Sequence, residues 1–175
     1  LAFIALGLPD TVLGVAWPSL RAAFDVPQSA LGAALMAGVT GYFLSGLAVG
    51  SLSSRLGTGG LLSLSSALVA AALVAFAVAP SWFWFFPVAA VMGLGSGAID
   101  AGLNSYAAKH FSIRHVNWLH ACWGIGASIG PLVMTSAVAS RFGYSAGYAV
   151  LAALLGSMAG AFLLTRHAWN EGREH

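Results

Sequence analysis

The chain has 175 residues, of which 59% are hydrophobic and only 7% are charged, and its formal net charge is +2. A soluble domain carries about 25% charged residues, so this composition is that of a protein dissolved in a lipid bilayer. Such a small net charge does not indicate a nucleic-acid partner. One cysteine cannot form a disulfide framework or a cysteine metal cluster, so we expect no metal and no cofactor.

Six apolar segments are long enough to cross a bilayer, because a membrane-spanning α-helix needs about 20 residues. They cover residues 1–20, 30–52, 61–79, 83–107, 116–139 and 145–164. Turn residues separate them, and Gly57-Thr58-Gly59-Gly60 is predicted to be a flexible reversal. The predicted fold is an all-α membrane protein with a six-helix bundle over residues 1–165. Residues 166–175 are predicted to be a cytoplasmic tail or the start of a central loop.

The basic residues predict the orientation of the bundle. One side carries five of them and the other side two, namely Arg55, Lys109, Arg114, Arg166 and Arg173 against Arg21 and Arg141. Cytoplasmic loops are enriched in Lys and Arg, so both termini are predicted to be cytoplasmic.

Two pairs of similar motifs indicate an internal repeat. These are Gly7-x-x-Asp10 with Gly97-x-x-Asp100, and Ser54-Arg55-Leu56-Gly57 with Ser140-Arg141-Phe142-Gly143. The two copies, about 1–79 and 83–164, have three spans each, and an odd number of spans makes them inverted. Inverted three-helix repeats are typical of transporter halves, whose substrate site lies near the midplane.

Polar residues inside the predicted fourth span mark a candidate site. Gly93, Gly97, Asp100 and Asn104 fall on one stripe of a helix. The glycines allow a neighbouring helix to approach closely, and the carboxyl group is costly to bury without a use. Asp10 lies about 15 Å from the end of the first span, close to the midplane. The alternative is that Asp100 only joins two helices by hydrogen bonds.

Other polar faces predict one water-filled cavity shared by the first, second, fourth and fifth spans. Tyr42 is either a substrate contact or a packing residue. Trp17 and Trp123 either stack on a sugar ring or belong to the core. Asn117 and His120 share a face of the fifth span, where His120 is either a proton shuttle or bonded to a carbonyl group. A pair between Asp100 and His120 is feasible. The third and sixth spans carry no acidic or basic side chain and are expected to be lipid-facing supports behind an open cleft.

These features resemble the N-terminal half of a major facilitator superfamily transporter. Residues 50–57, Gly-Ser-Leu-Ser-Ser-Arg-Leu-Gly, are similar to the loop motif G-x-L-a-D-R-x-G between the second and third helices, with Ser54 in place of the acidic residue. The resemblance implies that Gly50, Arg55 and Gly57 belong to a loop that acts in the conformational change.

Within that superfamily, the glycine-rich stripe with Asp100 and Asn104, followed by Asn117-x-x-His120, is similar to the fucose:proton symporter branch. In that branch acidic residues on the first and fourth helices carry substrate and proton coupling. The resemblance implies proton-coupled uptake of a small polar solute such as a sugar, by alternating access in the plasma membrane. The predicted substrate and proton site consists of Asp10, Asp100, Asn104, Asn117, His120, Tyr42 and Trp17.

Two questions stay open from the sequence. Transporters of this superfamily have twelve helices, so the chain is either a fragment or a half that pairs with a second six-helix half, which is a C-terminal half or another copy. The alternative functions are a membrane structural or assembly protein without transport, and an intramembrane aspartyl protease. The residues preceding Asp10 and Asp100 do not match such a protease, so we expect no enzyme.

Overall fold

The computed structural model describes residues 1–169, and the regular structure in this part of the chain is helical. Six α-helices follow in chain order: α1 (Ala2–Gly7), α2 (Val12–Phe24), α3 (Ala30–Ala77), α4 (Phe85–His110), α5 (Ile113–Ala139) and α6 (Gly143–Leu164). Short 3₁₀ turns precede α4 at Trp82–Trp84 and follow α6 at Arg166–Trp169. In this part of the chain five helical segments are long and apolar enough to cross a membrane: Ala2–Phe24, Ala30–Ala77, Trp82–His110, Ile113–Ala139 and Gly143–Leu164.

The first span is broken near its middle, so the prediction of one continuous helix over 1–20 is wrong at this point. Pro9 has no amide hydrogen to donate, which weakens the helix after α1. The amides of Asp10 and Val12 bond instead to the carbonyl groups of Gly7 and Pro9, at 3.3 and 3.4 Å. Asp10 therefore sits in the break between α1 and α2.

Helix α3 has 48 residues and one residue with non-helical dihedral angles, Gly57 (φ 71°, ψ 167°). A straight helix of this length would measure about 72 Å, more than twice the hydrocarbon thickness of a bilayer. Both parts nevertheless pack against α4, because Gly41 lies against Ala90 and Val69 lies against Gly95. The chain must therefore reverse at Gly57. The reversal needs one non-helical residue, and the other three residues of the predicted loop are helical.

Glycines bring two pairs of helices into direct backbone contact. Helix α1 packs on α5, where a Cβ at Gly126 would overlap the carbonyl group of Ile4. The first part of α3, residues 30–56, packs on α4, where a Cβ at Gly97 would overlap the carbonyl group of Tyr42. Small residues permit such close approach in a membrane, where dispersion contacts replace the hydrophobic effect between helices. These two contacts fix the helices that carry the predicted polar residues.

The second part of α3, residues 58–77, belongs to the core. Its Leu62, Leu73 and Phe76 are at most 1% exposed. It packs on α6, and the Ser63 hydroxyl donates a hydrogen bond to the carbonyl oxygen of Ala159 at 3.0 Å. One face of this segment therefore fills the space between α4 and α6, while its other face carries exposed apolar side chains, since Leu64 and Val74 are 54% and 51% exposed. That it is a lipid-facing support stays a prediction.

Basic residues collect at one end of the helices. The connection between α4 and α5 is only two residues long, so Lys109 and Arg114 lie in helical turns instead of a loop. Arg55 precedes the bend, and the backbone of Arg166 lies 2.7 Å from where a Cβ of Gly59 would be. The described start of the predicted tail, Arg166–Trp169, is thus packed against α3, and residues 170–175 of that tail lie outside the described residues.

Candidate functional site

A cavity of about 280 Å³ lies where α1, the first part of α3, α4 and α5 meet. Its wall contains four of the predicted site residues together with three apolar or aromatic ones: Asp10, Tyr42, Asp100 and His120, with Phe3, Leu6 and Trp123. Neither the second part of α3 nor α6 contributes a lining residue. The cavity is thus built from the spans on which the polar faces were predicted.

Asp100 is held by hydrogen bonds to both of its carboxylate oxygens. Asn104, one turn later on α4, donates from Nδ2 to Oδ1 at 2.8 Å. The hydroxyl group of Tyr42 on α3 donates to Oδ2. The contact of Gly97 with the Tyr42 backbone brings this hydroxyl group within reach. An ionised carboxylate accepts only, so this pair of donors suits the charged form of Asp100.

Asp10 has a different environment, in the break between α1 and α2. Its side chain is exposed, and the Trp123 side chain on α5 provides a hydrogen bond to it. The charge of Asp100 also acts on it, so the two carboxyl groups share one site. Indole is a donor only, so Trp123 donates and Asp10 accepts.

His120 lies on the α5 wall with its ring against Phe3. The ring centroids are 5.3 Å apart and the planes meet at 76°, an edge-to-face contact. In the part of the chain that the structure describes, the His120 ring packs on Phe3 and does not form the pair with Asp100 that the sequence made feasible. Trp123 follows His120 by three residues, so both side chains face the cavity.

Two predicted residues lie away from this cavity. Trp17 is 4% exposed, and its indole nitrogen donates to Oε1 of Gln28 at 2.8 Å. Its ring also contacts Trp82 edge to face, with ring centroids 5.3 Å apart. Trp17 is therefore a core residue, and it lies at the end of the bundle opposite Gly57. Asn117 lies on the exposed face of α5, beside a shallow cavity that it shares with Arg114. Asn104 reaches the site only through Asp100.

Three lining residues were not among the predicted set. Phe3 and Leu6 are apolar residues in an apolar helix, so no signal in the sequence separates them from packing residues. Trp123 was weighed as a surface for a sugar ring, and its three-residue spacing to His120 places both side chains on one face.

The residues predicted to form the conformational loop lie around a second cavity, at the end of the helices where the basic residues collect. Gly50 and Gly57 line it, and Arg55 is exposed. Ser54, which replaces the acidic residue of the superfamily motif, donates a hydrogen bond to the carbonyl oxygen of Ser51 at 2.8 Å.

The first cavity is open to the outside of the helix bundle. Asp10, His120 and Trp123 are exposed, and Tyr42 is 42% exposed although it lies in a membrane-spanning segment. This agrees with the expected cleft that is open on one side. Hydroxyl, carboxylate, imidazole and indole groups in one cavity can bind a small polar solute and exchange protons. No cluster of three or more metal-binding side chains occurs among the described residues.

Comparisons with known proteins give one family. No curated protein matches the chain. The family profile described as Major Facilitator Superfamily matches residues 1–174, which is nearly the whole chain. Proteins of this superfamily are membrane transporters with small-molecule substrates. The chain therefore belongs to the major facilitator superfamily, as an integral, multi-pass membrane transporter.

Proposed function

We propose that the chain is a six-helix half of a proton-coupled symporter that takes up a small polar solute, such as a sugar, by alternating access. The observation that carries this proposal is the open cavity in which Asp10 and Asp100 lie together with Tyr42, His120 and Trp123. The similarity of the α4 stripe to the fucose:proton symporter branch points to the same chemistry.

The reversal at Gly57 supports six crossings, because it would divide the 48 residues of α3 into two antiparallel spans. The paired contacts support two inverted repeats, about 1–79 and 83–164. The first helix of each proposed repeat packs on the second helix of the other, α1 on α5 and α4 on the first part of α3. A two-fold relation between inverted repeats produces this exchange.

A second six-helix half would cover the open side of the cavity. An exposed carboxyl group at membrane depth costs several kcal/mol when it faces lipid. The Asp10 side chain is exposed, and only 17% of the most apolar stretch of α5 is buried inside the bundle. A C-terminal half or another copy of the chain would enclose both and complete the cavity. The basic residues at one end favour cytoplasmic termini in the plasma membrane.

The two carboxyl groups are proposed to have different roles. Asp100 is fixed by Tyr42 and Asn104, so it suits a constant acceptor for the hydroxyl groups of the solute. Asp10 lies in a helix break with its side chain exposed, so it is the carboxyl group to which we assign the coupled proton. Protonation of Asp10 would remove a charge from the cavity, and a neutral cavity reorients across the membrane more easily.

Charge-neutral variants test this division of roles. Uptake of a panel of labelled neutral monosaccharides is measured in cells that express the chain, and binding to the purified chain is followed by Trp fluorescence. Asp10→Asn should abolish accumulation against a gradient and retain binding, whereas Asp100→Asn should weaken binding at least tenfold. Asp25→Asn is the matched control, because Asp25 ends α2 outside the cavity and Asn tolerates its left-handed φ of 49°.

Full accumulation by Asp10→Asn would refute the proton role. If no sugar binds and both variants change only stability, the cavity is structural. The chain would then be an assembly protein, the alternative that its glycine-mediated helix contacts favour.

A further inference from the structure

The second cavity, called here the basic-end pocket, is separate from the proposed transport site. Its volume is about 330 Å³, and it lies between the bend of α3 and the last turns of α4, with Trp169 at its edge. It shares no lining residue with the cavity that holds Asp10 and Asp100. Along α4, Lys109 lies about 14 Å beyond Asp100 at 1.5 Å per residue.

The basic-end pocket carries positive charge without a negative partner among its lining residues. Lys109 and His110 line it, and none of the lining residues is acidic. Hydroxyl groups line the same space, those of Ser53, Ser54, Thr58, Ser105 and Tyr106. A cation near hydroxyl groups, with no carboxylate among the lining residues, suits an anion.

His110 is held in one orientation. Its Nδ1 lies 2.9 Å from the carbonyl oxygen of Tyr106, and a carbonyl group only accepts, so Nδ1 carries the proton. The imidazole ring also stacks on the Tyr106 ring, with centroids 4.1 Å apart and planes at 21°. Nε2 is then the nitrogen left for a ligand. It accepts from a protonated oxygen when the ring is neutral and donates to an anionic oxygen when the ring is charged.

We propose that the basic-end pocket binds a phosphate group, either the head-group phosphate of an anionic lipid or free phosphate. Lysine binds phosphate as a compact point charge, while a planar carboxylate is matched better by the fork of an arginine. Ser54 already donates to Ser51, but the hydroxyl groups of Thr58 on α3 and Ser105 on α4 can donate to the oxygens of a tetrahedral anion. This proposal does not depend on the proposed transport function.

Two titrations of the purified full chain separate the two phosphate sources. In lipid-free detergent, Tm is followed as inorganic phosphate replaces chloride at constant ionic strength. In nanodiscs of pure phosphatidylglycerol or pure phosphatidylcholine, Tm is measured again, and native mass spectrometry counts the lipids retained. A lipid site predicts retention of phosphatidylglycerol over phosphatidylcholine with a higher Tm, whereas a free-phosphate site predicts a Tm rise in detergent. The absence of both responses would overturn the proposal of a phosphate site.

Variants locate the binding. Lys109→Gln should weaken binding of the ligand that the titrations identify, phosphatidylglycerol or inorganic phosphate, at least tenfold. Ser105→Ala, which keeps the charge, should weaken the same binding about threefold. Arg114→Gln is the matched control, because Arg114 lies at the same end but outside the pocket. An equal loss in Arg114→Gln would show non-specific attraction and overturn the site. Phosphate binding that appears only in Glu171→Gln/Glu174→Gln would show that the chain's own carboxylates fill the pocket, which also overturns it.

Discussion

Gly57→Ala should destabilise the protein more than a Gly→Ala substitution at any other α3 position that does not contact another helix. Its φ of 71° and ψ of 167° lie in a region that is essentially restricted to glycine, and the residue is buried. Holding an L-residue in such a conformation costs about 1–3 kcal/mol. If an alanine at this position moved to helical angles instead, α3 would straighten and its two parts could not both contact α4. We therefore expect Gly57→Ala to lose about 3 kcal/mol, near the upper end of that range.

Gly46→Ala provides the control, because Gly46 lies in the same helix and a Cβ there would have nothing within 4 Å. Removing a glycine from a helix interior gains about 0.5–1 kcal/mol, so the two variants should differ by about 4 kcal/mol. The free energy of unfolding is measured by titrating the purified protein from mild detergent into sodium dodecyl sulfate, with circular dichroism as the signal. Equal stability of Gly57→Ala and Gly46→Ala would refute the reversal at Gly57.

Three further predictions test the packing and the orientation. Gly126→Leu should separate α1 from α5 and lower stability by about 3 kcal/mol, whereas Gly124→Leu should be tolerated because a Cβ at Gly124 has open space; both are compared in the same unfolding titration. Ser63→Ala should cost about 1 kcal/mol, since it removes the hydrogen bond to Ala159, and an unchanged midpoint would show that this bond contributes nothing. Cysteine introduced at Ser112, with Cys122 replaced by Ala, should be labelled only after the membrane is permeabilised; labelling of intact cells would reverse the proposed orientation.

The sequence predicted which helices and polar side chains line the cavity better than it predicted how far the cavity extends. Asp100 could be placed because α4 is a regular helix, so the spacing from Gly97 fixed which side chain faces the neighbouring helix. Asn104 was found for the same reason, one turn further on. The prediction that the first, second, fourth and fifth spans share the cavity depended only on which faces are polar, and that pattern is visible in the sequence.

Trp17 lies seven residues after Asp10, so on an unbroken helix both side chains would share one face and Trp17 could meet the solute. The break after Pro9 changes the phase of the helix, so a seven-residue spacing from Asp10 no longer brings a side chain to the same face. Asn117 shows a different limit. It shares a face with His120 but lies nearer the basic end, where the cavity has ended.

The contact between α1 and α5 has a consequence for how the protein is made. Helix α1 is synthesised before α5, and the surface against which its Gly7 packs lies near Gly126, 119 residues later in the chain. During that interval Asp10 is already at membrane depth without Trp123, its hydrogen-bond donor. The early chain therefore has to be shielded from lipid by the insertion machinery until α5 arrives. Truncation before α5 should leave a product that remains bound to that machinery and is degraded, even though all of its earlier helices are present.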